Sequence, residues 1–313
     1  MSTSNPTHSL EIIRSLTDIP AEQWDALANP NGPRPENTAY NPFLTHRFLK
    51  ALEDTNCVGE GTGWYPHHAL LRDEAETVIG AAPVYVKPHS QGEYVFDHGW
   101  ADALERAGGR YYPKLQCSVP FTPASGPRLL VNDPAHRTTL TSALSQMSDQ
   151  LGASSFHATF LTDEDRAALA AANFLIRTDQ QFHFEDQDYG DFDGFLQSLA
   201  SRKRKAIRRE RKGALENGIS IKWLTGKDIT EDHWERFFEF YLDTGARKWG
   251  QPYLTRDFFS AMGDTMADDI LLIFACREDR PIAGAINFIG GDTLYGRNWG
   301  CMEDHHYLHF EVC

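Results

Sequence analysis

The sequence predicts a mixed α/β protein with mostly antiparallel sheets, built from two units of one plan. Three observations carry this expectation. Short runs rich in β-branched and aromatic residues alternate with amphipathic runs of helical period. The order strand, two helices, three meandering strands occurs twice, once in each half. The longest apolar run, "ILLIFAC" at 270–276, is far too short to span a bilayer and suits a buried strand.

In chain order, "EIIRSL" reads as a short strand and a helix begins near Ala21. "THRFLKALED" is a second helix with Thr45 as its N-cap, because a threonine hydroxyl can accept from a free first-turn N–H. "HALLR", "TVIGAAPVYV" and "EYVFD" follow as three strands, separated by Gly, Asp, Glu and Ser turns. After a Gly/Pro-interrupted stretch at 108–127 come a helix at 134–151, a strand "SSFHATFL", a helix capped by Thr162, and a strand around "QFHFED". "FDGFLQSLASRKRKAIRRERKGALENG" predicts one connector helix, with Leu196, Leu199, Ile207 and Leu215 on one side and Gly218 as C-cap.

The second unit begins with the strand "ISIKWL" and the helix "TEDHWERFFEFYLDTGARK", whose Trp234, Phe237, Phe238 and Tyr241 recur at helical spacing. "TRDFFSAMGDTM" is its second helix. "ILLIFAC", "IAGAINFI" and "TLYGRNW" form a meander, turned by "REDRP" and by Gly290-Gly291-Asp292. The units are assigned to residues 1–190 and 191–313, the second opening with the basic connector. The chain stops where a helix ("HHYLHFEVC") is under way, so the second unit is expected to lack its final strands and to expose Ile286, Phe288 and Leu294.

Composition narrows the function. The 313 residues carry a formal net charge of −14, with 41% hydrophobic and 24% charged residues, as in an ordinary globular protein. Residues 1–190 hold 13 Lys/Arg against 24 Asp/Glu, whereas residues 191–313 hold 17 against 20. The near balance of the second part comes from residues 202–212, eight Lys/Arg and one Glu in eleven positions. A chain this acidic does not coat nucleic acid or anionic membrane non-specifically, so any anion binding is local. The five cysteines are scattered without a C-x-x-C pair, and no signal-like leader opens the chain. A cytoplasmic protein without a zinc module or stable membrane insertion is expected.

The stretches "FDHGWADALERAGGRYYPKLQCSVPFTPASGPRLL", "FYLDTGARKWGQPYLTRDFF" and "LYGRNWGCMEDHHYLHFEVC" resemble the bacterial peptidoglycan biosynthesis/recognition family, a FemAB-like branch of the GNAT acyl-CoA N-acyltransferase superfamily. The order of elements is similar to that superfamily's fold. The resemblance runs from about Asn41 to the end of the chain. It implies tandem GNAT-like domains that transfer an acyl or aminoacyl group from an activated donor, acyl-CoA or aminoacyl-tRNA, to an amine, with no tightly bound cofactor. A cell-wall precursor is the acceptor the family label suggests. The alternatives are a non-catalytic protein that recognises such a precursor or another anionic ligand, and an RNA-binding adaptor.

Acyl transfer to an amine needs a neutral nucleophile, donors for the developing oxyanion and a proton for the leaving group. The resemblance places a donor pyrophosphate near 300–306. The signature [Q/R]-x-x-G-x-[G/A] is met by Arg297 and Gly300, while Met302 replaces the small last residue. His305 and His309 at i,i+4 would share a helix face as catalytic groups or structural hydrogen-bonders, and Tyr295 is a candidate proton donor. In the first unit Asp97 and His98 stand where an acid would repel a pyrophosphate. With Trp100 they are candidates for an acceptor contact or for loop structure. Arg247, Lys248, Trp249 and Tyr253 combine cations and aromatics in a loop suited to an anionic acceptor. Arg204, Arg208 and Arg211 share one face of the basic helix 202–212. That helix would meet the acidic first unit, a phosphorylated donor or tRNA.

Overall fold

The computed structural model describes residues 8–33, 39–247 and 250–313. Among them, ten α-helices and twelve strands alternate, with the strands in three four-stranded sheets. The chain divides into two units. The first comprises Met1–Leu175, Pro252–Asp269 and Phe288–Tyr295, and the second comprises Ile176–Gln251, Ile270–Asn287 and Gly296–Cys313.

The first stretch of the first unit runs β1 (Ser9–Ile13), α1 (Ala21–Ala28), α2 (His46–Asp54), β2 (Tyr65–Pro66), β3 (His68–Arg72), β4 (Val78–Ala82) and β5 (Val84–Lys87). It continues with α3 (His98–Arg106), β6 (Lys114–Cys117), β7 (Leu130–Val131), α4 (Ala135–Gln150), β8 (Phe156–Ala158) and α5 (Asp163–Ala171). One sheet has the order β1-β3-β4-β7 with every pairing antiparallel. The other has the order β2-β5-β6-β8, antiparallel except for the parallel β6–β8 pair. Thr45 caps α2 by accepting from the Phe48 amide, and Thr162 caps α5 by accepting from the Asp165 amide. Helix α2 buries His46, Phe48, Leu49, Ala51 and Leu52, the i, i+3 spacing of an inward face. Leu115 and Cys117 of β6, with Val84 of β5, join Leu140, Leu144 and Met147 of α4 in one apolar core.

The second unit contains α6 (Phe192–Ser198), α7 (Ser201–Ala214), β9 (Ile219–Leu224) and α8 (Glu231–Arg247). Helix α9 (Arg256–Met266) belongs to the first unit, where Thr255 caps it and Phe258 meets Phe48 edge-on. The last elements are β10 (Ile270–Arg277), β11 (Arg280–Ile289), β12 (Leu294–Cys301) and α10 (Leu308–Val312), and the sheet order is β12-β11-β10-β9. Glu278 and Asp279 both take positive φ, the two-residue turn that matches strand twist. No described helix is long and apolar enough to cross a membrane.

Several elements differ from expectation. "EYVFD" is not a strand: Glu93 and Asp97 are buried and turn toward the Lys114 ammonium, while Tyr94 and Phe96 between them are exposed. "QFHFED" alternates apolar and polar residues, but no described strand pairs with it, and Phe182 and Phe184 are exposed. The connector is two helices, because Leu199 and Ala200 are extended, with ψ of 152° and 140°. Gly218 does not cap it. Helix α7 ends at Ala214, and Asn217 and Gly218 make a left-handed turn into β9. On α8 the buried set is Trp234, Phe237 and Phe240, with Phe238 and Tyr241 half-buried. Ile286 and Phe288, expected to be exposed, are buried; Phe288 lies against Phe43 and Phe48, and only Leu294 is open.

Gly300 lies inside β12, where a Cβ would come within 2.1 Å of the Phe240 carbonyl oxygen on α8. Backbone cannot yield as a side-chain tip can, so Gly300→Ala is expected to lower stability in urea denaturation by about 2 kcal/mol or more. At Gly296, on the same strand, the nearest neighbour to a new Cβ is the Asn287 side-chain oxygen at 3.5 Å. Gly296→Ala should therefore stay within about 0.5 kcal/mol of the parent.

Candidate functional site

Strands β5 and β6 pair Val84 with Cys117, Tyr85 with Gln116, Val86 with Leu115 and Lys87 with Lys114. Strand β8 brings His157 beside Gln116. Side chains alternate across a sheet, so Val84, Val86, Leu115, Cys117, Phe156 and Ala158 meet the apolar core on one face. Tyr85, Lys87, Lys114, Gln116 and His157 share the opposite face. That face is polar, yet Tyr85, Lys87, Lys114 and Gln116 are all fully buried.

The Lys114 ammonium has three donors and three matched acceptors: Asp97 Oδ2 at 2.6 Å, Glu93 Oε2 at 2.8 Å and Ser90 Oγ at 2.8 Å. Tyr111 donates its hydroxyl to the same Asp97 oxygen at 2.8 Å, and Tyr112 bonds Ser90 at 2.9 Å. Lys87 is held differently. Its Nζ sits 3.7 Å from the centre of the Trp64 ring and donates to the Gln91 carbonyl at 3.1 Å. Trp64 meets Phe121 and Tyr85 edge-on, and Phe121 is stacked on Tyr253 at 4.8 Å with 9° between planes.

Seven buried side-chain polar atoms have no hydrogen-bond partner among the described residues, and six lie on this face or beside it. They are His68 Nδ1, Tyr85 OH, Glu93 Oε1, Asp97 Oδ1, Gln116 Oε1 and Ser118 Oγ. Native interiors pair nearly all such atoms, so their concentration in one place singles this face out as the candidate site. The proton affinities are spread apart. Burial raises the Glu93 carboxyl against the pull of Lys114. For Asp97 burial acts in the same direction, but hydrogen bonds from Lys114, Ser90 and Tyr111 outweigh it and hold the carboxyl at about 2. Burial lowers Lys87 to about 7, and burial with the Lys114 charge lowers His157 to about 4. Displaced pKa values at neighbouring groups are a mark of functional sites.

The residues singled out from sequence fall in two places. Asp97 is part of the Lys114 shell, His98 and Trp100 are exposed on the first turn of α3, and Tyr253 reaches the same region through Phe121. Nothing in the local pattern of either segment indicates that the 253 loop and the 97 loop converge. Tyr295, also in the first unit, packs on Phe43, and burial raises its hydroxyl. The others lie in the second unit. Arg247 donates to the Cys301 carbonyl at 3.0 Å and pairs with Asp243, and Arg297 is half-buried on β12. Lys248 and Trp249 lie outside the described residues.

His305 and His309 do not share a helix face, because α10 begins only at Leu308. His305 bonds Glu303 and Arg277, while His309 lies against the Trp299 ring. The missing side chain of Gly300 admits the α8 backbone, and the loop after it carries Glu303, which pairs with Arg277 and Arg280. Arg204 approaches the Gln197 carbonyl at 3.4 Å, Arg208 pairs with Asp193, and Arg211 makes a two-pronged bond to Glu311 at 2.9 Å.

Sequence reasoning missed Lys87, Glu93, Lys114, Gln116 and His157. The available signal was period two: "VYVK" and "KLQCS" place polar residues on alternate positions of strands that are otherwise apolar.

A family model described as peptidoglycan biosynthesis/recognition, FemAB-like, matches residues 15–313. No curated protein matches the chain. A crystal structure of a conserved protein of unknown function from Bacteroides thetaiotaomicron VPI-5482 aligns with a TM-score of 0.49 at 11% identity, covering 97% of this chain and 86% of that one.

The buried Lys87 has a measurable consequence. Its folded value of about 7 lies below the ordinary lysine value of 10.5. Between the two, the unfolded chain holds a proton that the folded chain lacks, so this group makes stability rise with pH across that window. The slope is at most about 1.4 kcal/mol per pH unit. Lys87→Met removes the contribution. Urea denaturation from pH 7 to about 10 should show a flatter pH dependence than the parent, and an unchanged slope would contradict the assignment.

Proposed function

Because the chain belongs to the FemAB-like peptidoglycan biosynthesis/recognition family over nearly its whole length, we propose that it transfers an acyl or aminoacyl group from an activated donor to an amine on a cell-wall precursor. The donors considered are acyl-CoA and aminoacyl-tRNA. The observation that supports this reading is the buried polar face around Lys114, in which Glu93 Oε1 and Asp97 Oδ1 are unpartnered carboxylate oxygens. Asp97, Tyr111, Tyr112, Lys114 and Gln116 come from the stretch beginning "FDHGW" that carries the family resemblance.

The chemistry follows from the protonation states. In transfer, the amine nitrogen attacks the donor acyl carbon. A C–N bond forms, the thioester C–S or ester C–O bond breaks, the nitrogen gives up a proton and the leaving group gains one. Glu93, raised by burial, is the group suited to take the proton through Oε1. Asp97 stays ionised and accepts an amine N–H through Oδ1. Lys114 already uses all three donors, so it is a positioning residue that keeps the two carboxylates together. Tyr94, Phe96 and Trp100 offer exposed aromatic surface next to these acids in the chain. Within this proposal the sequence of β9, α8, α9 and the meander β10–β12 supports a GNAT-like unit in the second half, while the first half keeps the strand and two helices but divides its meander between two sheets.

A second reading, recognition of the precursor without transfer, is favoured by the depth of the Lys114 shell, whose charged side chains are at most 3% exposed.

The test uses the full chain with labelled acyl-CoA or aminoacyl-tRNA and an amine-bearing precursor. Transfer is expected, and Glu93→Gln should reduce it by roughly 100-fold or more while precursor binding by calorimetry persists. Binding without transfer from either donor supports recognition instead. Transfer that is indifferent to Glu93→Gln removes this face from the reaction.

A further inference from the structure

The basic run at 202–212 is not used by the polar face in the first unit, and the structure sorts its cations into two sets. Arg204, Arg208 and Arg211 are tied down within the second unit by Gln197, Asp193 and Glu311, and Arg211 also lies over the Phe192 ring at 3.9 Å. The remaining five, Arg202, Lys203, Lys205, Arg209 and Lys212, are exposed and have no ion pair or hydrogen bond among the described residues.

Four of the five form one row. At 3.6 residues per turn, Arg202, Lys205, Arg209 and Lys212 fall within an arc of about 80°, and the row is about 15 Å long. Ile207 and Ala214, on the opposite side of α7, are half-buried and buried. The row contains no aromatic side chain on which a base could stack and no apolar side chain that could insert into hydrocarbon.

From this geometry we propose that the free row of α7 is a peripheral docking surface for an anionic phospholipid bilayer. The argument is one of shape as well as charge. A cylinder meets a plane along a single line, and the unpaired cations of α7 lie along such a line. A polyanion strand wrapping the helix would engage its flanks, but on one flank Arg204, Arg208 and Arg211 already have internal partners. The contact is electrostatic and reversible, since nothing on the row enters the acyl layer. A chain with net charge −14 is otherwise repelled by an anionic surface, so docking is confined to this row and fixes how the second unit faces the membrane.

The test is sedimentation of the full chain with phosphatidylglycerol–phosphatidylcholine vesicles, beside pure phosphatidylcholine vesicles and a mixed tRNA sample at matched salt. Binding is expected to the anionic vesicles only, weakening as salt rises. Each cation near such a surface is worth roughly fivefold in partition. The variant R202Q/K205Q/R209Q/K212Q should therefore lose about 100-fold or more in partition, with its thermal unfolding unchanged because the four side chains have no internal partners. The proposal is overturned if wild type ignores anionic vesicles at low salt, if tRNA binds and vesicles do not, or if the variant partitions like wild type. Wild-type salt dependence tests the electrostatic claim without any variant: binding that is insensitive to salt also overturns it. None of these outcomes depends on whether acyl transfer occurs, so they leave the proposed reaction to its own test.

Discussion

The ammonium of Lys114, buried in the middle of a sheet, sets the terms for its surroundings. A charge removed from water is tolerated only where hydrogen bonds and opposite charges replace the solvent, and leaving one such partner unpaired costs roughly 3–5 kcal/mol. Glu93, Asp97 and Ser90 meet that demand, and all three come from the segment between β5 and α3. Their convergence explains why "EYVFD" leaves the sheet. Its two acids must point inward together, so Tyr94 takes a left-handed φ of 57° and the intervening aromatics face solvent. Asp97 then stands at the N-cap position of α3, so the shell that neutralises a lysine also fixes where a helix begins.

The same sheet has two buried faces with opposite chemistry. Its apolar face gives β5, β6 and β8 their place against α4. That burial makes the polar face rigid, because a one-residue slip of β6 would put Lys114 and Gln116 into hydrocarbon and Leu115 among carboxylates. A rigid polar face beneath loops is a sound base for chemistry, since loop carboxylates tied to a lysine on a fixed strand need not be reordered when a ligand arrives. Tyr253 and Phe121 extend this base outward through Trp64 to Lys87.

In the second unit the governing constraint is close approach. Helix α8 lies so near β12 that only glycine fits at position 300, and α10 is anchored to α7 by the pair Arg211–Glu311. Glu311 is only 8% exposed in its side chain, so Arg211 neutralises a largely buried acid and is not available to a ligand. A dense basic run thus does two jobs. One flank holds structure and the adjacent stripe remains free, a division invisible in a count of charges.

The sequence alone determined the class, the order of most elements, the caps at Thr45 and Thr162, the meander of the last three strands and the family. These depend on local rules: period, capping chemistry, turn residues and long contiguous motifs. It also pointed to Asp97 and Tyr253 separately. Only the tertiary structure decided that Tyr253 joins the aromatic chain leading to Lys87, and that Asp97 shares one ammonium with Glu93. His305 and His309 looked paired because i,i+4 assumes a helix, and whether that helix forms is settled by packing beyond the motif. Lys114 and Gln116 went unnoticed because they lie in the Gly/Pro-interrupted stretch where no strand was expected, and Lys87 because a polar residue at a strand end ordinarily means a solvent face. That the face is buried depends on what folds over it, and no local pattern carries that information.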